Sequence, residues 1–195
     1  MPVLARSIAP SWCLAAMAIC LLAVASVGSG SPPAHARDGL GGPFALTDEN
    51  GWTVTDRDMR GRPFLIFFGF THCADVDLVP LSQISAVVAA LGRDADNVGA
   101  LFVTVDPERD DPAALRDYLA GFDPHIRGLT GSSDAIAAVT TAYDVYREKV
   151  SATEGAYGID HTTDVFLVDR NGELTGRFDL RRSPDALATE LRAMW

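Results

Sequence analysis

One stretch limits the architecture more than any other. Residues 64 to 70 read Phe-Leu-Ile-Phe-Phe-Gly-Phe, with no charge and no polar side chain. A strand covered on one face alternates apolar with polar residues, whereas a strand covered on both faces reads as a continuous apolar run. Leu81, Ile84, Val87, Val88 and Leu91 then follow at helical spacing. Pro80 suits a first helical turn and Gly92 a helix end. The expectation is a central strand of a layered α/β domain that feeds a loop and then a helix.

The rest of the chain agrees with that frame. Val98 to Val105 reads as the next buried strand. Phe44-Ala45-Leu46 and Trp52-Thr53-Val54 flank the turn signal Asp48-Glu49-Asn50-Gly51 and read as a short N-terminal hairpin, with Trp52 packing on it. Asp111-Pro112 opens a helix with Leu115, Tyr118 and Leu119 inward, and a third helix is expected from Asp134 to Tyr143. Val165 to Val168 and Leu174 to Phe178 bracket a second hairpin turn, and Ser183-Pro184 opens a last helix to Trp195. The order is hairpin, strand, helix, strand, helix, helix, hairpin, helix. It implies a three-layer fold with a central mixed sheet, of which the thioredoxin-like fold is the natural member.

The first 36 residues have the form of an export signal. Arg6 precedes an uncharged apolar run from Trp12 to Val27, then Gly-Ser-Pro breakers, then Ala34-His35-Ala36 in the small-x-small form of a cleavage site. The competing reading is an uncleaved membrane anchor, since extension back to Ile8 reaches the roughly 20 residues of a span. Either places the remainder in the periplasm or otherwise outside the cytoplasm. Residues 37 to 43 then form a Gly-rich linker, and the folded domain runs from 44 to 195. With 26 acidic against 16 basic residues the chain carries a formal charge of −10, and the only acidic or basic side chain lost with the leader is Arg6. That balance excludes nucleic acid, whose phosphates require clustered Lys and Arg. It leaves membrane contact to the N-terminal segment alone.

Of the three cysteines, Cys13 and Cys20 lie in the apolar run, so the domain keeps only Cys73. One cysteine cannot make an intramolecular disulfide or a four-cysteine zinc site. Cys73 sits in Gly69-Phe70-Thr71-His72-Cys73-Ala74-Asp75-Val76-Asp77, between the central strand and its helix. Ligands gather at such strand ends, and the positive end of a helix favours a thiolate. A second candidate is His161 in Asp160-His161-Thr162-Thr163, which a thioredoxin-like topology brings to the same end of the sheet. Other polar residues have simpler readings. His72 diverges from Cys73 or acts as an outer donor, Asp75 bonds a loop N–H, and His125 is a loop residue. Asp106, Glu108, Asp110 and Asp111 form an acidic group without the spacing of a calcium loop, explained by turns and a cap.

The Cys73 loop resembles the metal-site loop of the Sco/SenC family, thioredoxin-fold copper proteins of cytochrome c oxidase assembly. Val103-Thr104-Val105-Asp106-Pro107-Glu108-Arg109-Asp110 is similar to that family's second signature. Asp160 to Thr163, ahead of Phe166-Leu167-Val168-Asp169, is similar to its third. The resemblance spans Phe44 to Trp195 and implies a copper site of two cysteines, three residues apart, and a histidine. Cys73 and His161 take the first and last of these roles. The second cysteine position is Asp77, and Ala74 stands where the family usually has proline. Carboxylate is a harder donor than thiolate, so a Cys73, Asp77, His161 set implies weaker Cu(I) binding and greater tolerance of Cu(II).

Three functions compete. The first is an exported copper-binding protein and metallochaperone, a non-enzymatic assembly factor whose partner is a cytochrome c oxidase subunit or another copper or thiol protein. The second is a single-cysteine thiol-disulfide reductase or peroxidase with Cys73 as nucleophile. The third is a partner-binding module that has lost its metal.

Overall fold

The computed structural model describes residues 40–73, 76–151 and 157–195. The expected leader, the first residues of the linker, and Ala74 and Asp75 of the loop lie outside them.

Strand β3 (Phe64–Gly69) forms where the apolar run requires it, with all six residues buried. It pairs in parallel with β4 (Gly99–Thr104) and antiparallel with β8 (Val165–Val168). Around this trio lie β1 (Ala45–Asp48), β2 (Thr53–Thr55), β5 (Ile126–Thr130) and β9 (Leu174–Arg177). Together they make a seven-stranded mixed sheet in the order β2-β1-β5-β4-β3-β8-β9. Helices α1 (Leu78–Leu91), α2 (Pro112–Leu119) and α4 (Pro184–Arg192) share one apolar cluster with Leu65 and Phe67 of β3. Helix α3 (Ser133–Ala142) joins Phe64, Ile66 and Phe68 in a second cluster on the opposite face. Alternate residues of β3 therefore fill two cores, which is why no position along it tolerates a charge.

The caps read from the sequence form as side-chain bonds. Asp111 accepts from Ala114 N–H at 2.8 Å and Ser183 from Ala186 N–H at 3.4 Å, each ahead of a first-turn proline. Helix α1 starts at Leu78, which leaves Pro80 inside its first turn.

Three features depart from the sequence reading. Strand β5 was not expected, because Arg127 and Gly128 interrupt its apolar pattern. Arg127 reaches across to Asp48 at 2.7 Å, and Gly128 leaves room for α2, since a Cβ there would stand 2.8 Å from Leu119 Cδ1. A two-stranded ribbon, β6 (Arg147–Ser151) with β7 (Tyr157–His161), lies outside the main sheet. Its first strand is charged and mostly exposed, and its second has only one buried residue, Ile159, so the ribbon carries little apolar signal. Trp52 is 72% exposed and does not pack on the first hairpin as expected.

The double-sided burial of β3 has a measurable consequence. Phe67 is fully buried, with its ring centroid 6.0 Å from that of Phe102. Phe67→Ala is expected to lower stability by about 3–5 kcal/mol, read by urea denaturation.

Candidate metal centre

The loop that leaves β3 is held at its root by backbone bonds. Val105 N–H donates to Gly69 O at 2.8 Å, and Cys73 N–H donates to Phe70 O at 3.1 Å, closing a turn. That turn sets Cys73 half-buried against the second apolar cluster.

Asp77 lies directly before α1, but it does not cap the helix: its backbone is helical and its side chain makes no capping bond. The carboxylate turns back toward the loop, where Oδ2 accepts Phe70 N–H at 2.9 Å. Asp77 is fully buried. Space for it exists because residue 69 is glycine. A Cβ at 69 would stand 2.4 Å from Asp77 Oδ2 and 2.7 Å from Phe102 Cε2. The other oxygen, Oδ1, is buried and faces the His161 ring.

His161 ends β7, with its side chain 3% exposed. Its Nδ1 lies 3.0 Å from Thr162 O, and a carbonyl only accepts, so Nδ1 carries the hydrogen. The basic nitrogen of the neutral ring is then Nε2, which faces Asp77 Oδ1 at 3.3 Å. Phe70 packs edge-on against the ring at 5.7 Å and fixes its plane. Metal-binding histidines are typically oriented this way, with the second nitrogen donating to a carbonyl or carboxylate.

Cys73, Asp77 and His161 thus offer a sulfur, an oxygen and a nitrogen, all within 4.8 Å of one another. Two metal–ligand bonds of 2.3 Å span at most about 4.6 Å, so this spacing is close to that of a coordination shell. A neutral Nε2 and a carboxylate oxygen facing each other need a cation between them. A proton meets that need in the metal-free state, and a metal ion meets it with the thiolate as third donor. His161 accordingly titrates above its ordinary value. Burial pushes it down, but bonding and attraction to Asp77, helped by the Thr162 carbonyl and Asp160, push it up by more.

A cleft of about 220 Å³ opens onto this point, lined by Cys73, Val76, Tyr146, Ile159, Asp160, His161 and Thr163. Asp77 lies beneath it. The three residues singled out from the sequence therefore meet, and the other candidates stay apart. His72 is exposed and bonds Thr71 Oγ1 through Nδ1. His125 bonds Asp123 far along the chain. Asp75 lies outside the described residues. Asp106 and Asp110 are fully buried and bonded within the fold. Tyr146, on the cleft wall, had no signal in the sequence.

Comparison with known proteins places this geometry among relatives. The family model described as SCO1/SenC matches residues 32–195. ScoI of Bradyrhizobium japonicum, solved with copper bound, is 49% identical with a TM-score of 0.78, over 80% of this chain and 99% of that one. A SCO2-like protein of Rickettsia felis is 34% identical over 155 residues, 78% of this chain and 76% of that protein. BsSco, described as a member of the Sco family of cytochrome c oxidase assembly proteins, is 20% identical with a TM-score of 0.58, over 78% of this chain and 91% of that one, and shares the fold.

Two outcomes follow from the Asp77–His161 arrangement. A methyl group at residue 69 displaces the carboxylate. Gly69→Ala is therefore expected to cost about 1–3 kcal/mol, as overpacking does, and to return His161 toward its ordinary pKa in an NMR titration. For the metal-free protein, a histidine raised on folding contributes stability that is complete below its ordinary value of 6.5. That contribution is lost as pH climbs through the raised, folded value. Thermal melts are expected to fall with rising pH across that window, and His161→Gln to flatten the dependence.

Proposed function

The chain belongs to the SCO1/SenC family, and from that premise we propose that it is a copper-binding protein of cytochrome c oxidase assembly, with Cys73, Asp77 and His161 holding the ion as cargo. The observation that carries the reading is the convergence of the three donors at an open cleft, with the buried Asp77 Oδ1 facing His161 Nε2 at 3.3 Å. A thiol, a carboxylate and an imidazole brought this close offer a transition-metal ion a mixed sulfur, oxygen and nitrogen shell. Copper bound to a relative that is 49% identical supports the choice of metal.

In this reading Cys73 supplies the dominant, thiolate bond and His161 a neutral imidazole oriented by Thr162. Asp77 stands where the family pattern has its second cysteine. One thiolate with a carboxylate holds soft Cu(I) less tightly than two thiolates do and tolerates Cu(II) better. The ion leaves by ligand exchange through the cleft, which Cys73 and His161 line and Asp77 does not. The partner is a cytochrome c oxidase subunit or another copper or thiol protein. The domain from 44 to 195 is exported, with residues 1 to 36 as a signal peptide or anchor and 37 to 43 as the linker.

Copper titration of the purified protein against a competing chelator tests the assignment. Cys73→Ser and His161→Ala are each expected to weaken binding at least about tenfold, and Asp77→Cys to raise Cu(I) affinity sharply. Wild-type affinity unchanged in both removal variants overturns the site. Sulfenate formation at Cys73 far faster than in free cysteine transfers the assignment to the thiol enzyme.

A further inference from the structure

The second sequence signature, Val103 to Asp110, contributes no donor, yet it touches both elements that do. Its first arm is Asp110, which is fully buried. Asp110 Oδ2 accepts Thr71 N–H at 3.0 Å and the Thr104 hydroxyl at 2.6 Å, while Oδ1 accepts the Thr71 hydroxyl at 2.6 Å. Thr71 is two residues before Cys73. Thr104 in turn accepts Asp106 N–H at 2.9 Å, so the signature is braced internally.

The second arm reaches the ribbon that ends in His161. Arg109 NH1 donates to Tyr157 O at 3.1 Å, and its guanidinium lies 3.8 Å over the Tyr157 ring. The Tyr157 hydroxyl donates to Asp106 Oδ1 at 2.9 Å, and Arg109 Nε donates to Asp106 Oδ2. Arg147 NH1 donates to Val105 O at 3.1 Å, and Lys149 pairs with Glu108 at 2.7 Å. Apart from the Arg109–Asp106 pair, which lies within the segment, each of these ties joins the β6–β7 ribbon to residues 105–109. The ribbon has no strand partner in the main sheet, and of β6 and β7 only Ile159 is buried. Its position therefore depends heavily on this polar seam. The same guanidinium stands 5.7 Å from the Phe70 ring, which packs against His161.

We propose that Thr104 to Asp110 is a two-armed clamp that makes the donors converge. Arg109 is a positioning residue for His161, and Asp110 is a positioning residue for Cys73. The inference rests on the copper reading for its consequence, but its mechanical part is tested without metal. Removing an outer partner of a metal ligand typically costs about 10- to 100-fold in affinity. Arginine is required because the fork and the flat face are used together, which a lysine cannot reproduce.

Hydrogen–deuterium exchange on the metal-free protein, paired with copper titration, decides the matter. Arg109→Gln is expected to speed amide exchange across Tyr157–His161 and leave Phe70–Cys73 unchanged. Asp110→Asn is expected to do the reverse. Each weakens copper binding about 10- to 100-fold, and Arg109→Lys does not restore it. In a His161→Ala background, Arg109→Gln adds no further loss, since residues acting through one group are not additive. Unchanged ribbon exchange in Arg109→Gln, or an equal copper penalty with and without His161, overturns the clamp. If Arg109→Gln does not fold, Tyr157→Phe, which removes only the bond to Asp106, carries the same readouts. A wild-type protein that binds no copper overturns the proposed function, while exchange in the metal-free state still decides the clamp.

Discussion

The double burial of β3 is the constraint from which the rest of the molecule follows. Its edges are closed by β4 and β8, and its faces by helices on one side and by α3 on the other. A strand so enclosed cannot shift register by one residue, because every side chain would then face the wrong core. The point where the chain leaves the sheet, Gly69 and Phe70, is thereby fixed. The Phe70 N–H that holds Asp77 and the Phe70 ring that packs on His161 are fixed with it. Rigid elements give a site better precision than loops can supply alone.

The second level of control is polar and acts on parts that the apolar cores do not reach. The ribbon with His161 and the turn with Cys73 are both short of buried apolar surface. Asp106 and Asp110 compensate with buried, multiply bonded carboxylates. Such groups are worth their burial only when every oxygen is satisfied, which holds for both of them. Asp77 differs: one oxygen accepts a backbone N–H and the other faces the His161 ring.

Much of this was legible in the sequence, for physical reasons that can be named. Strong apolar runs and caps announce β3, β4, α1, α2 and α4 because burial and capping act locally. Cys73, Asp77 and His161 were found through the loop position of the thiol and through resemblance to a family. Strand β5 was hidden because its Arg127 and Gly128 are explained only by distant partners, Asp48 and α2. The ribbon was hidden because charged residues hold it by side-chain bonds, which leave no periodicity. The acidic residues of the second signature read as turn and cap. Their real ties, to Thr71 and Tyr157, span 39 and 51 positions and cannot be seen from spacing.

The bond between Phe70 N–H and Asp77 Oδ2 also bears on denticity. It occupies one lone pair of that oxygen and leaves Oδ1 as the oxygen turned toward His161. Calcium gathers 6–8 oxygens and often takes a carboxylate through both of its own. In the proposed site, one carboxylate oxygen beside one sulfur and one nitrogen would make a low-coordinate shell, sparse for such hard ions. The amide of Phe70 would then bear on which cations the pocket refuses, without touching any of them.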